Sequence, residues 1–380
     1  MSPPDTRKDA EEGKPERLRL TVPDVGSEEL DAVREVFRSG MLVQGERVAA
    51  LEAGVAARVG TAHAVACSSG TAALHLALLA LGIGPGDEVV VPAFTYPATG
   101  NVVALCGATP VLADVRPDTF ALDPEHAAAA LTPRTRAILP VHPFGLPADM
   151  EPLLALADAR GLAVVEDAAC ALGARYGGRP CGSMGRMGCF SFHPRKAITT
   201  AEGGMVTTDD AELADRMRLL RNHGFVRDER GADFVAAGFN YRMSDVHAAI
   251  GVAQLAKLDA AIAARRQLAA AYAEALAGVE WLTLPAEPPG RCHIYQTYAV
   301  VVDEGRDRDG LIAHLREGGV ESTIGTYALH VLDFYRRTCG HAPEDFPVAR
   351  SLYERTLALP IYRGMTADAI ARVSELLHDA

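Results

Sequence analysis

Positive charge is scarce in this chain. Its 37 lysines and arginines are outnumbered by 49 aspartates and glutamates, for a net charge of −12, so it lacks the basic face that a nucleic-acid partner favours. A small anion is a different matter, because local donors rather than the overall field capture it. Paired cysteines are missing too: Cys67, Cys106, Cys170, Cys181, Cys189, Cys292 and Cys339 are odd in number and contain no C-x-x-C spacing. That pattern argues against a zinc site and for free thiols in a reducing compartment. No apolar run approaches the roughly 20 residues of a membrane span. Met1–Glu16 is polar, charged and proline-containing rather than an apolar leader. The chain is therefore expected to be cytoplasmic, with a disordered tail over residues 1–17. Gly82, Gly84 and Gly86 follow a helical stretch instead of a strand, which fails the context of a dinucleotide-binding fingerprint.

What the chain does contain is 380 residues of which 49% are hydrophobic, enough to build one large domain and a smaller one. Ser27-Glu28-Glu29 starts a helix that Ser39-Gly40 ends, and a second helix covers Arg47–Ala57. Another runs from Gly70 to Leu81. From there strands (Glu88–Val91, Pro110–Val115, Ala137–Val141, Ala163–Asp167) alternate with helices (His126–Leu131, Met150–Ala159), before strands at Cys189–Phe192 and Met205–Thr208. The alternation predicts an α/β domain with a mostly parallel sheet flanked by helices over residues 18–250. Ala211–Arg221 is helical. Ser244–Ala277 is a long alanine-rich helical region with room for a bend or break. The remainder of residues 251–380 reads as a small C-terminal α+β domain: strand Thr297–Val302 and helices Gly310–Glu317, Val348–Leu357 and Ala367–His378.

Four features in chain order carry chemistry. Cys67–Leu78 (C-S-S-G-T-A-A-L-H-L-A-L) is a turn feeding an apolar helix, whose first amides form a phosphate cradle. Pro92–Thr99 (P-A-F-T-Y-P-A-T) follows a strand and presents Tyr96. Ala163–Asp167 (A-V-V-E-D) ends in carboxylates, and ligands of open α/β sheets bind beyond the carboxyl ends of strands. Cys189–Met205 (C-F-S-F-H-P-R-K-A-I-T-T-A-E-G-G-M) sets one lysine, Lys196, between two short strands. Phosphate site, aromatic face, carboxylate and lysine are the parts a pyridoxal phosphate (PLP) enzyme needs.

The motifs S-S-G-T-A-A-L-H-L-A-L, G-D-E-V-V-V-P-A-F-T, V-E-D-A-A, S-F-H-P-R-K with T-T-A-E-G-G-M, and G-F-N-Y-R-M-S-D resemble those of the DegT/DnrJ/EryC1/StrS sugar aminotransferases. The likeness runs from about Leu18 to the C-terminus and implies a fold-type I, aspartate aminotransferase-like architecture. It aligns Lys196 with the lysine that holds the cofactor aldehyde; a dehydrating branch has histidine there, so Lys196 implies amino transfer. By the same resemblance Asp167 keeps the pyridine nitrogen protonated, Gly70, Thr71 and Ser191 bind the phosphate, and Tyr96 stacks on the ring. Asn240 reaches the phosphate of the neighbouring subunit, which implies a homodimer with shared sites. His193, Tyr327 and His330 are expected on the substrate side. Cys170 stands where relatives carry Gln or His against the ring hydroxyl, and Ala201 stands where they carry glycine. The implied reaction uses L-glutamate and a nucleotide-linked keto sugar. The K-x-I-T-T-x-E-G-G pattern points to the 4-keto carbon of a 6-deoxyhexose, with a 3-keto sugar, a keto-cyclitol or a non-catalytic sugar-sensing role as alternatives.

Overall fold

The computed structural model describes residues 17–229 and 231–380; apart from Arg17, the tail expected over residues 1–17 lies outside them. Seven strands form the central sheet: β1 (His63–Cys67), β2 (Glu88–Pro92), β3 (Thr109–Ala113), β4 (Thr135–Ile138), β5 (Ala163–Asp167), β6 (Met187–Ser191) and β7 (Gly204–Thr208). Their order is β1-β7-β6-β5-β4-β2-β3. β7 alone runs against its neighbours; every other pairing is parallel. Strands covered on both faces need continuous apolar runs, and Val89-Val90-Val91 is fully buried accordingly.

Helices α1 (Ser27–Ser39), α2 (Glu46–Val59), α3 (Gly70–Ala80) and α4 (Ala98–Leu105) precede or interleave these strands. α3 is apolar nearly all round, and Ala72–Leu78 are all buried, as expected of a helix enclosed on every side. Strand β1 and helix α4 have no counterpart in the sequence expectations. Neither does the exposed hairpin Phe225–Asp228/Gly231–Phe234.

The small domain is a four-stranded antiparallel sheet, in the order Leu282–Thr283, Tyr298–Val302, Thr356–Leu359, Thr323–Ile324. The helix expected over Val348–Leu357 is in fact Pro347–Arg355 followed by the strand Thr356–Leu359. Pairing of that fully buried T-L-A-L run with Tyr298–Val301 overrides its local preference. Leu18 also belongs to the small-domain core, because its backbone bonds Gly319 and Glu321 on either side of Val320.

The long helix is a single unbroken element, Asp245–Ala275. Leu258 packs in the core beneath the central sheet, whereas Ala269 and Tyr272 pack in the small-domain core. By length and a mean hydropathy of 1.3 it could cross a membrane, but its buried polar side chains Gln254 and Arg265 are committed to protein partners. Gln254 donates to the Asp24 carbonyl (2.6 Å) and to Glu29 Oε1 (2.8 Å). Arg265, buried, donates to the carbonyls of Tyr295, Gln296 and Ile361 at 3.3, 3.0 and 2.9 Å. Burial without a carboxylate partner pulls its guanidinium down to about 10. Replacing it strands those carbonyls, and each unmet buried acceptor costs about 1–3 kcal/mol. Arg265→Met is therefore expected to lower the urea midpoint by the equivalent of about 3 kcal/mol, checked by circular dichroism.

Candidate active site

The site lies beyond the carboxyl ends of β1, β5 and β6. Ser69 caps α3, its hydroxyl accepting from the Ala72 amide at 3.1 Å, and first-turn amides of a helix such as those of Gly70 and Thr71 have no intrahelical acceptor. A Cβ on Gly70 would lie 2.7 Å from Ser191 Cβ, and one on Gly204 would lie 2.2 Å from the Ser69 carbonyl oxygen. Only glycine fits at either point. That close approach sets the Ser191 hydroxyl against the start of α3, so hydroxyl and amide donors converge where an anion fits.

Asp167, at the end of β5, is almost fully buried. Its Oδ2 accepts from Thr99 Oγ1 at 2.8 Å and its Oδ1 from the Ala169 amide at 3.2 Å. Burial pushes the carboxyl above its ordinary range, against the pull of these donors and of the Lys196 amine. A buried carboxylate with no cation in hydrogen-bond contact suits the protonated ring nitrogen that PLP would bring. Lys196 sits in a turn closed by its own amide on the His193 carbonyl (2.8 Å), with Nζ 3.1 Å from Cys170 Sγ. Cys170 therefore meets the lysine directly.

Glu166, which carried no expected role, is an anchor. Both its oxygens are saturated: Oε2 accepts from His142 Nε2 (2.9 Å) and the Gly182 amide (2.7 Å), Oε1 from the Met184 and Gly185 amides (both 2.7 Å). The Ala148 amide donates to His142 Nδ1 at 3.0 Å, which fixes the proton on Nε2. Burial pushes Glu166 up, but His142 and the amide donors more than offset it and hold the carboxyl below its usual range.

Tyr96 is 67% exposed, and its ring meets Tyr327 edge-on at 6.2 Å. The two are brought together by the bridge pairing Tyr327 with Thr95 and Ala328 with Phe94. His193 is half-buried, with Nδ1 accepting from the Arg195 amide at 3.2 Å. His330 departs from expectation: it is fully buried beneath Phe346, with Nε2 donating to the Pro343 carbonyl at 3.1 Å. Its place is in the core, because after the bridge that leaves Tyr327 half-buried the chain turns inward at Leu329. Ala201 has φ 68°, so its Cβ bears the strain that glycine avoids.

In G-F-N-Y-R-M-S-D every residue but one has an internal task. Phe239 and Tyr241 stack together and Tyr241 Oη meets His75 Nδ1 (3.1 Å). Ser244 caps the long helix, and Asp245 caps α2 through the amides of Gly45 and Val48. Asn240 alone of the eight is exposed. Sequence reasoning missed Thr99 and His142. The i, i+4 spacing of Thr95 and Thr99, whose hydroxyls meet at 3.0 Å, was a usable signal for the first; nothing local marked the second.

The DegT/DnrJ/EryC1/StrS aminotransferase family matches residues 23–378. GDP-perosamine synthase of Caulobacter vibrioides is 42% identical over 361 residues, covering 94% of this chain and 96% of that protein. DesV of S. venezuelae, solved with a ketimine intermediate, superposes with a TM-score of 0.88 at 38% identity, covering 96% of this chain and 98% of that one. The PLP form of Spr1654 from Streptococcus pneumoniae gives 0.89 at 29% identity, covering 95% and 99%.

Glutamine at position 166 would turn its NH2 toward donors whichever way the amide faces. Glu166→Gln is thus expected to destabilise the protein by about 3 kcal/mol at neutral pH. Since the folded carboxyl is depressed, its contribution is complete above its ordinary value and is lost as pH falls through the lower folded one. The gap between the two proteins should hold at neutral pH and shrink below about pH 4, as measured by urea unfolding across pH.

Proposed function

The chain belongs to the DegT/DnrJ/EryC1/StrS aminotransferase family, and on that premise we propose that it moves an amino group from L-glutamate to the 4-keto carbon of a nucleotide-linked 4-keto-6-deoxyhexose. It is a PLP-dependent sugar aminotransferase. The observation that carries the amino-transfer reading is Lys196 Nζ lying free of any carboxylate contact while close enough to buried Asp167 to stabilise its charge. The choice of acceptor is supported by the 42% identity with GDP-perosamine synthase and by K-A-I-T-T-A-E-G-G. A deoxyaminosugar for an antibiotic or a surface glycan is the corresponding product class, and a cytoplasmic setting suits it.

When bound, PLP supplies an electron sink for the carbon that gains or loses nitrogen. Asp167 holds a proton at the pyridine nitrogen. Gly70, Thr71 and Ser191 bind the phosphate, and Tyr96 covers the ring face. Lys196 Nζ would hold the cofactor aldehyde and, when free of it, would serve as the base that moves a proton between two carbons. Tyr327 and His193 orient the acceptor. The exposure of Asn240, with the exposed apolar side chains of Leu30, Phe37, Met41 and Phe234, supports a homodimer in which this amide reaches the neighbouring phosphate.

L-Glutamate is expected to bleach the visible band of the PLP-loaded protein, and a 4-keto-6-deoxyhexose nucleotide to restore it with an amino sugar detectable by mass spectrometry. Lys196→Ala should lower turnover by at least about 1000-fold. Amination of only a 3-keto sugar or cyclitol would overturn the acceptor; full activity in Lys196→Ala would overturn the lysine assignment. Asn240→Ala should release PLP roughly tenfold more readily while sedimenting as the same dimer, since one charge-assisted phosphate bond is worth about 1.5 kcal/mol.

A further inference from the structure

Among the seven cysteines, one thiol touches a nucleophile. Cys170 Sγ lies 3.1 Å from Lys196 Nζ, closer than their van der Waals separation requires, and both side chains are partly open to solvent. Neither is loosely placed. The Asp167-Ala168-Ala169-Cys170 turn is pinned by the Ala169 amide on Asp167 Oδ1 (3.2 Å) and the Ala171 amide on the Ala168 carbonyl (2.8 Å). The lysine's turn is pinned by Gln296 Nε2, which donates to the Arg195 carbonyl at 2.7 Å.

The other thiols offer no such chemistry. Cys67, Cys106, Cys181 and Cys189 are buried, and burial pushes each well above the ordinary thiol range. Cys292 meets the Arg266 guanidinium at 3.9 Å and lies near buried Cys181, and Cys339 meets the Thr338 hydroxyl and the Pro110 carbonyl; among the described residues neither is in contact with an amine nucleophile. Partly exposed cysteines beside cationic amines are the ones peroxide oxidises selectively.

We propose that Cys170 and Lys196 form a reversible sulfur–nitrogen cross-link under hydrogen peroxide, locking the enzyme whenever the lysine amine is not engaged by the cofactor. Peroxide first converts the thiol to a sulfenic acid: the O–O bond breaks, sulfur gains oxygen, and water leaves. The Nζ lone pair then attacks Sγ; the S–O bond breaks, and the departing hydroxide takes the proton released from nitrogen. The sum is thiol plus amine plus peroxide giving a sulfenamide and two waters. Two equivalents of an added thiol reverse it, regenerating the amine and thiol and leaving the reductant as its disulfide. The lysine that must receive the cofactor aldehyde is consumed in the bond, so oxidation and cofactor loading exclude each other.

The test treats PLP-loaded and PLP-stripped protein with hydrogen peroxide, digests both with trypsin, and reads the peptides by mass spectrometry. In stripped protein, the Gly161–Arg175 peptide is expected joined to the Lys196–Arg216 peptide, at their summed mass less two hydrogens. Dithiothreitol should release them and restore PLP uptake. Loading with PLP should lower the cross-link yield roughly tenfold by masking the amine, and Cys170→Ser should abolish it while Cys292 and Cys339 oxidise as before. Conversion of Cys170 to sulfinic acid with Lys196 unmodified would overturn the proposal. So would an equal yield in loaded protein, or a bridge that retains oxygen. The joined peptide in stripped protein is read without any amino-transfer assay, so its absence would leave the aminotransferase reading intact.

Discussion

The site depends on one steric fact: the first turn of α3 is pressed against the ends of β6 and β7 with no room for a side chain between them. Glycines at 70 and 204 permit that approach. Three things follow. The free amides of the helix and the Ser191 hydroxyl face one point. β7 is drawn in as the single reversed strand, so β1, which feeds α3, takes its place at the sheet edge. And the Ser68 amide bonds the Tyr241 carbonyl at 2.9 Å, which holds Asn240 one loop away from the same helix.

The two adjacent carboxylates of β5 divide their work by environment. Glu166 points to one side of the strand into a cage of amides and a histidine, and remains an anion that holds loop 182–185 in place. Asp167 points to the other side, toward the lysine, where burial raises the energy of its charge. Strand alternation alone separates the two roles. A charge left under-satisfied in the folded chain is one a cationic ring nitrogen can satisfy, so the strain on Asp167 is recovered on binding.

The sheet was legible in the sequence through the apolar runs of β2, β5 and β6, and the lysine, aspartate and Ser-Gly-Thr turn stood out because each is a local signature at a strand or helix end. What was missed was set by distant contacts. β1 reads as an unremarkable H-A-V-A-C, and it becomes a strand by pairing with β7 over a hundred residues later. Thr356–Leu359 carries helical character until Tyr298–Val302 captures it. His330 was misplaced for the same reason: its motif neighbour Tyr327 is only half-buried, but the turn between them is fixed by the Leu329 amide on the Ala93 carbonyl (2.7 Å). Ala201, in contrast, was marked as a possible strain because relatives carry glycine there, and its left-handed backbone is present.

The long helix Asp245–Ala275 gives half of its length to each of two hydrophobic cores, and Arg265 fastens its second half to three small-domain carbonyls. A structural member shared in this way couples the fates of the pieces it joins. Loss of the small-domain core would unwind the C-terminal turns of the helix and loosen the packing around Leu258. The two hydrophobic cores should then be lost as one cooperative unit rather than in sequence.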